Sequence, residues 1–252
     1  MTTLLRVTRL VLIWIEPVLY RVIMIDSRAG DDAIRRAVSD KPASFFRENV
    51  RHISFCFPSR LSEEEVQAFL RLCPNLVSFA AFGVRASGLP LVLQEMSQLR
   101  KWTGNLQDHF AGSGTIDLRH TFVRRLTHMD LIDLSASDSS LILGLATLAA
   151  LTHLAVNSNV SVDAVWCVLE QCTQLQVLVH FWPEHSDKSR IAHEIGSGPP
   201  AEDVRFVVGF HRVDRLHDWR VAARGETGFW TAADTFITRK RRGEFDGVSV
   251  IL

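Results

Sequence analysis

Histidine, serine and cysteine are the side chains through which this 252-residue chain could do covalent or metal chemistry, and their spacing argues against most of it. His193-Glu194 has no second histidine four residues after the first, so the helix that clamps zinc between two imidazoles is missing. Gly112-Ser113-Gly114 has neither the spacing nor the lysine of a phosphate loop, and it is not a nucleophile elbow. His211, His217 and Asp218 would supply a base and its carboxylate, yet no motif positions a serine beside them. His180, His185 and His193 have metal-binding chemistry but irregular spacing across a strand end and a loop. Cys56, Cys73, Cys167 and Cys172 match no zinc ribbon or finger. Three of them lie among apolar residues, where a free thiol is a small buried hydrophobe of a reduced, intracellular protein. No catalytic residue, cofactor or metal is assigned.

The histidines that a pattern does bring together are His128 and His153. Each closes a Leu-Thr-His phrase, at Leu126 and Leu151, within a larger motif of apolar-x-x-apolar-x-(apolar or small). The motif recurs as Val50-x-x-Ile53-x-Phe55, Leu76-x-x-Phe79-x-Ala81, Leu99-x-x-Trp102-x-Gly104, Leu126-x-x-Met129-x-Leu131, Leu151-x-x-Leu154-x-Val156 and Leu175-x-x-Leu178-x-His180. Its central residues are spaced by a mean of 25 positions. In five units the residue three before the leading position is apolar too: Cys73, Met96, Val123, Leu148 and Cys172.

These phrases read as parallel strands over 50–55, 76–81, 99–103, 126–131, 151–156 and 175–179, separated by helices. Ser62-Glu63-Glu64-Glu65 is a capping box opening a helix whose Val66, Phe69, Leu70 and Cys73 form one stripe. Val165, Val168, Leu169 and Cys172 repeat that spacing after a cap at Ser161; Leu141, Leu145 and Leu148 do so more loosely. A strand and a helix every 25 residues cannot bury their apolar faces alone, but stacked units can. The period lies in the leucine-rich-repeat window, and 50–208 resembles intracellular proteins of that class. The asparagine of the strict motif stands only at Asn159, so irregular turns are expected. The fold class expected is α/β: a leucine-rich-repeat-like solenoid with a curved parallel sheet, helices on the convex side and helical caps at both ends.

Three segments follow: 1–25 as an F-box remnant or capping helix with the first strand, 26–210 as the solenoid, and 211–252 as a helical cap and tail. Val7, Leu10, Val11, Trp14 and Ile15 share a helical face, which Pro17 ends or kinks; Val22 to Ile25 reads as a strand. Trp14, Glu16, Pro17, Leu19 and Tyr20 resemble the last part of an F-box in fungal F-box and leucine-rich-repeat proteins. Asp218-Trp219 and Phe229-Trp230-x-x-Ala233-Asp234-x-Phe236 resemble the closing segment of that family. Phe229, Trp230, Ala233, Phe236 and Ile237 mark a helix whose aromatic face would close the far end of the sheet. The run Arg239 to Arg242 reads as a solvated helix end, with a nuclear signal as the alternative. Residues 184–203 read as a mobile surface loop, and 111–115 as a shorter one.

Charge and length narrow the partners. Lys plus Arg and Asp plus Glu are both 28, which removes the bulk electrostatic case for nucleic acid or an anionic membrane. The most apolar stretch is stopped by Glu16 and Pro17, far short of a membrane span. An intracellular site, cytoplasmic or nuclear, is expected. The resemblance implies a non-enzymatic recognition subunit of a ubiquitin ligase of the SCF type; a scaffold unrelated to ubiquitin and a hydrolase are the alternatives. In strands of the expected register Lys101, His128, Asp130 and His153 face the open concave side, with His128 and His153 about 4.8 Å apart across neighbouring strands. With Phe181 they are the candidate protein-binding residues. A Skp-type adaptor is expected to bind only if an intact F-box lies upstream, because the first repeat needs the short N-terminal stripe to cover its own edge.

Overall fold

The six apolar phrases each run into a β-strand, and their leading residues are all buried: Val50, Leu76, Leu99, Leu126, Leu151 and Leu175. The structure, a computed structural model, describes residues 9–56, 59–83, 86, 88–110, 116–132, 141, 144–196, 200, 202–211, 215–244 and 250–251. Val7 of the N-terminal stripe and the 111–115 loop lie outside them.

The strands are β1 (Val22–Ile25), β2 (His52–Cys56), β3 (Ser78–Phe82), β4 (Lys101–Gly104), β5 (His128–Leu131), β6 (His153–Asn157), β7 (Val177–Pro183) and β8 (Phe206–His211). They form one open, all-parallel sheet in sequence order, extended beyond β8 by the two-residue β9 (Val250–Ile251). The described helices are α1 (Arg9–Tyr20), α2 (Arg28–Asp40), α3 (Ala43–Asn49), α4 (Glu63–Arg71), α5 (Leu89–Leu93), α6 (Val162–Gln171), α7 (Lys188–Gly196), α8 (Arg215–Ala223) and α9 (Phe229–Arg241).

Register is set just before each strand. The carbonyl of Arg21 accepts from the N–H groups of both Arg51 and His52 at 3.1 Å. The same double acceptance recurs at Arg51, Val77, Arg100, Thr127 and Thr152, each stitching the next unit on. Consequently His52, Ser78, Lys101, His128, His153 and Val177 align in one row, and Ile53, Phe79, Trp102, Met129, Leu154 and Leu178 in the next. Side chains alternate across a strand, so the two rows face opposite ways. The second row packs with α2 to α7 in the main core. Trp102 is fully buried there, its ring 5.5 Å from Phe79 and 6.0 Å from Phe122. Gly104 has φ +139, and a Cβ would lie 2.3 Å from the Ala81 carbonyl oxygen, so only glycine fits this strand end.

The caps form as the sequence requires. Ser62 Oγ accepts from Glu65 N–H at 3.2 Å while Glu65 Oε2 accepts from Ser62 N–H at 2.8 Å. Ser161 caps α6 through Ala164 N–H. Arg35 joins α2 to α4 through Glu65 at 2.7 Å, holding that carboxyl at about 2, below its ordinary range. Two expectations are corrected. Residues 184–203 contain α7, because Ile191 and Ile195, four apart, both bury into the main core. The aromatic C-terminal helix α9 does not close the end of the sheet. It lies across the inner face, where Trp230, Ala233 and Ile237 cover Ala155, Val177, Val179, Phe181 and Val207. Those strand residues are apolar and would otherwise meet water. At the other end α1 runs through Pro17 to Tyr20, so of the two outcomes expected of Pro17, an end or a kink, the helix does not end there.

Truncating Trp102→Ala empties the centre of the main core and should cost about 3–5 kcal/mol, read as a fall in the urea midpoint at unchanged slope. A loss below 1 kcal/mol would show that the ladder does not depend on this row.

Candidate functional site

The inner row of the sheet carries the polar residues singled out above, and the structure places four of the five beneath the chain's own C-terminal helices. Asp130, on β5, is 1% exposed and ion-paired with Arg215 at the start of α8. That guanidinium also lies over the Phe181 ring, 4.0 Å from its centroid, and Phe181 meets Phe229 edge-on at 5.1 Å. His128 and His153 stack at 4.0 Å with an interplanar angle of 6°, and Trp230 stands edge-on to both at 5.4 and 5.5 Å. His153 Nε2 meets Asp234 Oδ1 at 3.1 Å. The register reading thus brings the two imidazoles together as expected. The face they occupy is not open, because its apolar half has recruited α9.

The Lys101 side chain is half-buried; burial lowers its ammonium below the ordinary lysine value, with the Asp234 carboxylate acting in the opposite direction. It borders a cavity of about 40 Å³ between β2–β5 and the helix pair. His52, Ser78, Thr103 and Asp130 form the floor, and Trp219, Phe229 and Trp230 the walls. Trp219 Nε1–H donates to Ser78 Oγ at 3.0 Å, fixing α8 over β3. Such a space holds a few waters among polar groups that can bind them.

One chain of contacts has the connectivity of a hydrolytic relay: Asp234 to His153, and His153 Nδ1 to Thr152 Oγ1 at 2.8 Å. The hydroxyl, however, donates to the Thr127 carbonyl at 3.1 Å. The same threonine–histidine contact recurs one strand earlier at Thr127 and His128, 2.9 Å, again with the hydroxyl on a backbone carbonyl. This is a repeated backbone device rather than an activated nucleophile.

The other histidines are dispersed. His180 is fully buried on the core face beside Trp182, whereas His185 and His193 are exposed, so these three do not converge. His217 is exposed on α8 and meets Arg220 at 2.9 Å. Among the described residues no group of three His, Cys, Asp or Glu side chains could hold a metal ion. No described helix is long and apolar enough to cross a membrane. In the basic run, Arg239 pairs with Glu244 at 2.7 Å and Lys240 donates to the Asp203 carbonyl at 2.8 Å. Sequence reasoning missed Arg215, Trp219 and Asp234 as inner-face residues. Their signal is the i, i+4 spacing of Arg215 with Trp219 and of Trp230 with Asp234, which puts each pair on one helical side.

Comparison with models of protein families and with characterised proteins gives no match to this chain.

Burial sets the electrostatics. It pushes His128 down to about 3, with His153 and Lys101 adding to the effect, and His52, His109 and His180 down to about 4. Unfolded, these four titrate near 6.5. Below that pH the unfolded chain therefore binds more protons than the folded one, and stability falls as pH drops. The loss approaches about 1.4 kcal/mol per pH unit for each histidine until the folded values are reached. Urea midpoints should drop from pH 7.5 to pH 5; a flat profile would mean that these imidazoles are solvated.

Proposed function

We propose that this chain is a non-enzymatic protein-recognition module on a leucine-rich-repeat-like solenoid, derived from the substrate-binding subunit of an SCF-type ubiquitin ligase. The observation that carries the reading is the ladder itself: consecutive parallel strands about 25 residues apart, in one register, with the outer row buried under helices. Such a scaffold presents rigid rows of side chains and supports recognition better than bond chemistry. Its inner-face residues Lys101, His128, Asp130, His153 and Phe181 are then the floor of the recognition surface, here covered by α8 and α9.

The adaptor side of the proposal draws on α1. Glu16 pairs with Lys41 at 2.5 Å, and Tyr20 packs edge-on against Phe45 at 5.0 Å, so one side of α1 is pinned to α2 and α3. The opposite side leaves Ile13, Trp14 and Val18 57%, 74% and 70% exposed. Trp14 is therefore not consumed in covering the first strand, contrary to the expectation that the whole stripe would be. Three exposed side chains still fall well short of the roughly 800 Å² per partner of a stable interface.

The test is capture of a purified Skp-type adaptor. Residues 1–252 should fail at micromolar concentration, and the chain extended with an intact F-box should succeed, with Trp14→Ala weakening it about ten-fold. Failure of the extended chain would remove the ligase reading and leave a scaffold unrelated to ubiquitin.

A further inference from the structure

We infer that the rim of the sheet at which β1 to β5 begin is a docking surface for an acidic protein segment, a short extended stretch with several carboxylates beside one apolar side chain. The inference rests on the recognition reading above and names the chemistry of the partner. The inner face is covered by α8 and α9 and the outer face by α2 to α7, so the ladder itself remains accessible at its strand ends.

A parallel sheet in register gathers the last turn of each helix, and the linker into the next strand, along one edge. Arg21 precedes β1, Arg47 and Arg51 precede β2, Arg71 precedes β3, Arg100 precedes β4, and Arg124 and Arg125 precede β5. The carboxylates in these same segments are Glu48 and Glu95. A chain with equal acidic and basic totals thus concentrates positive charge along half of one rim. Helices end along this edge, and their free carbonyls attract cations. That accounts for three of the arginines. Arg51 Nη2 donates to the Glu48 carbonyl at 2.6 Å, Arg100 Nη1 to the Ser97 carbonyl at 2.8 Å, and Arg125 Nη1 to the Gln94 carbonyl at 3.1 Å. A carbonyl orders the guanidinium but leaves its charge whole. Arg21, Arg47 and Arg124 are exposed and make no side-chain hydrogen bond to a described residue, and Arg71 reaches only Gln67, at 3.4 Å. No arginine of this rim forms an ion pair with a described residue, whereas Arg35, Arg205, Arg215 and Arg239 each meet a carboxylate.

Guanidinium forks match carboxylates, which they bind through two parallel hydrogen bonds. Five strands about 4.8 Å apart make a rim of roughly 19 Å, the span of about six residues of extended chain. At the β1 end the rim opens into a groove of about 190 Å³, lined by Pro17 and Val18 as well as by Arg21, Glu48, Asn49 and Arg51. An apolar side chain placed there meets Pro17 and Val18 while carboxylates beside it reach Arg21 and Arg51. Single-stranded nucleic acid is held by successive rings under successive bases. Here Phe46, Phe69 and Phe122 are buried, so an acidic protein segment fits the rim better.

The experiment titrates the full chain into a fluorescent twelve-residue peptide carrying one leucine and six glutamates, by anisotropy at low salt. Reversal in an R47E/R71E/R124E protein should weaken binding at least ten-fold, and R47Q/R71Q/R124Q several-fold. An R224E/R241E/R242E protein has the same change in net charge away from the rim and should bind within two-fold of the unaltered chain. Replacing the leucine of the peptide by serine should weaken binding several-fold. No binding by the unaltered chain, or equal losses in the two reversed proteins, would overturn the inference. So would an oligouridylate of the same length binding more tightly than the peptide. The three rim positions are exposed and unbonded or weakly bonded; should the reversed protein nonetheless fail to fold, the glutamine variant carries the same decision. Adaptor capture is read on Trp14 and not on these arginines, so failure here leaves the proposed function standing.

Discussion

Parallel pairing in one register commits every residue of a row to the same face of the sheet. Here that commitment is made by one backbone carbonyl per unit, which accepts two N–H groups from the next. Once Arg21, Arg51, Val77, Arg100, Thr127 and Thr152 have done so, Trp102 and Phe79 must face the outer helices and Lys101 and Ser78 must face inward. Both faces then need a cover. The outer face obtains it locally, since each unit brings its own helix or turn. Among the described residues the inner face has no local cover, because α2 to α7 pack on the other side. Its apolar half, at β6 to β8, is covered among the described residues by α9.

That division explains why the inner face is chemically uneven. Over β6 to β8 it is aliphatic and aromatic, closed by α9. Over β2 to β5 it carries His52, Ser78, Lys101, Thr103, His128 and Asp130 above a small cavity. Buried polar groups cost free energy unless hydrogen-bonded, and a buried carboxylate costs more unless paired. Arg215 answers Asp130, and neutrality answers for His128, whose stacked neighbour His153 and nearby Lys101 oppose a further charge. A face assembled for stability alone would carry apolar residues at these positions. The cover over this half combines an ion pair and an indole hydrogen bond with an apolar contact of Trp219 and Ala223 on Ala80.

Much of the ladder was legible in the sequence. Six apolar phrases at a 25-residue mean step placed six strands, each beginning two residues later than read, because the leading apolar residue packs in the core just before pairing begins. The capping box at Ser62 was legible because a serine and a glutamate three apart leave the first turn few alternatives. Helix α7 was not, since two isoleucines amid Gly and Pro make too short a stripe to register as a period. The adjacency of His128 and His153 followed from the register. Their burial did not, because it depends on a helix some eighty residues away whose aromatic face suited either a sheet end or a sheet face. Only the apolar character of Val177, Val179 and Val207, read as inward rather than as strand filler, would have decided between them.

The central claim is that the chain covers its own inner face, and it stands or falls on Trp230 lying over His128 and His153. Nuclear Overhauser contacts in the folded protein at pH 7.5 test it most directly. The structure requires cross-peaks from the Trp230 indole protons to the carbon-bound ring protons of both His128 and His153, with those imidazole resonances displaced by the indole ring current. A Trp230 without such cross-peaks, and imidazole protons at their free positions, would show the inner face to be open.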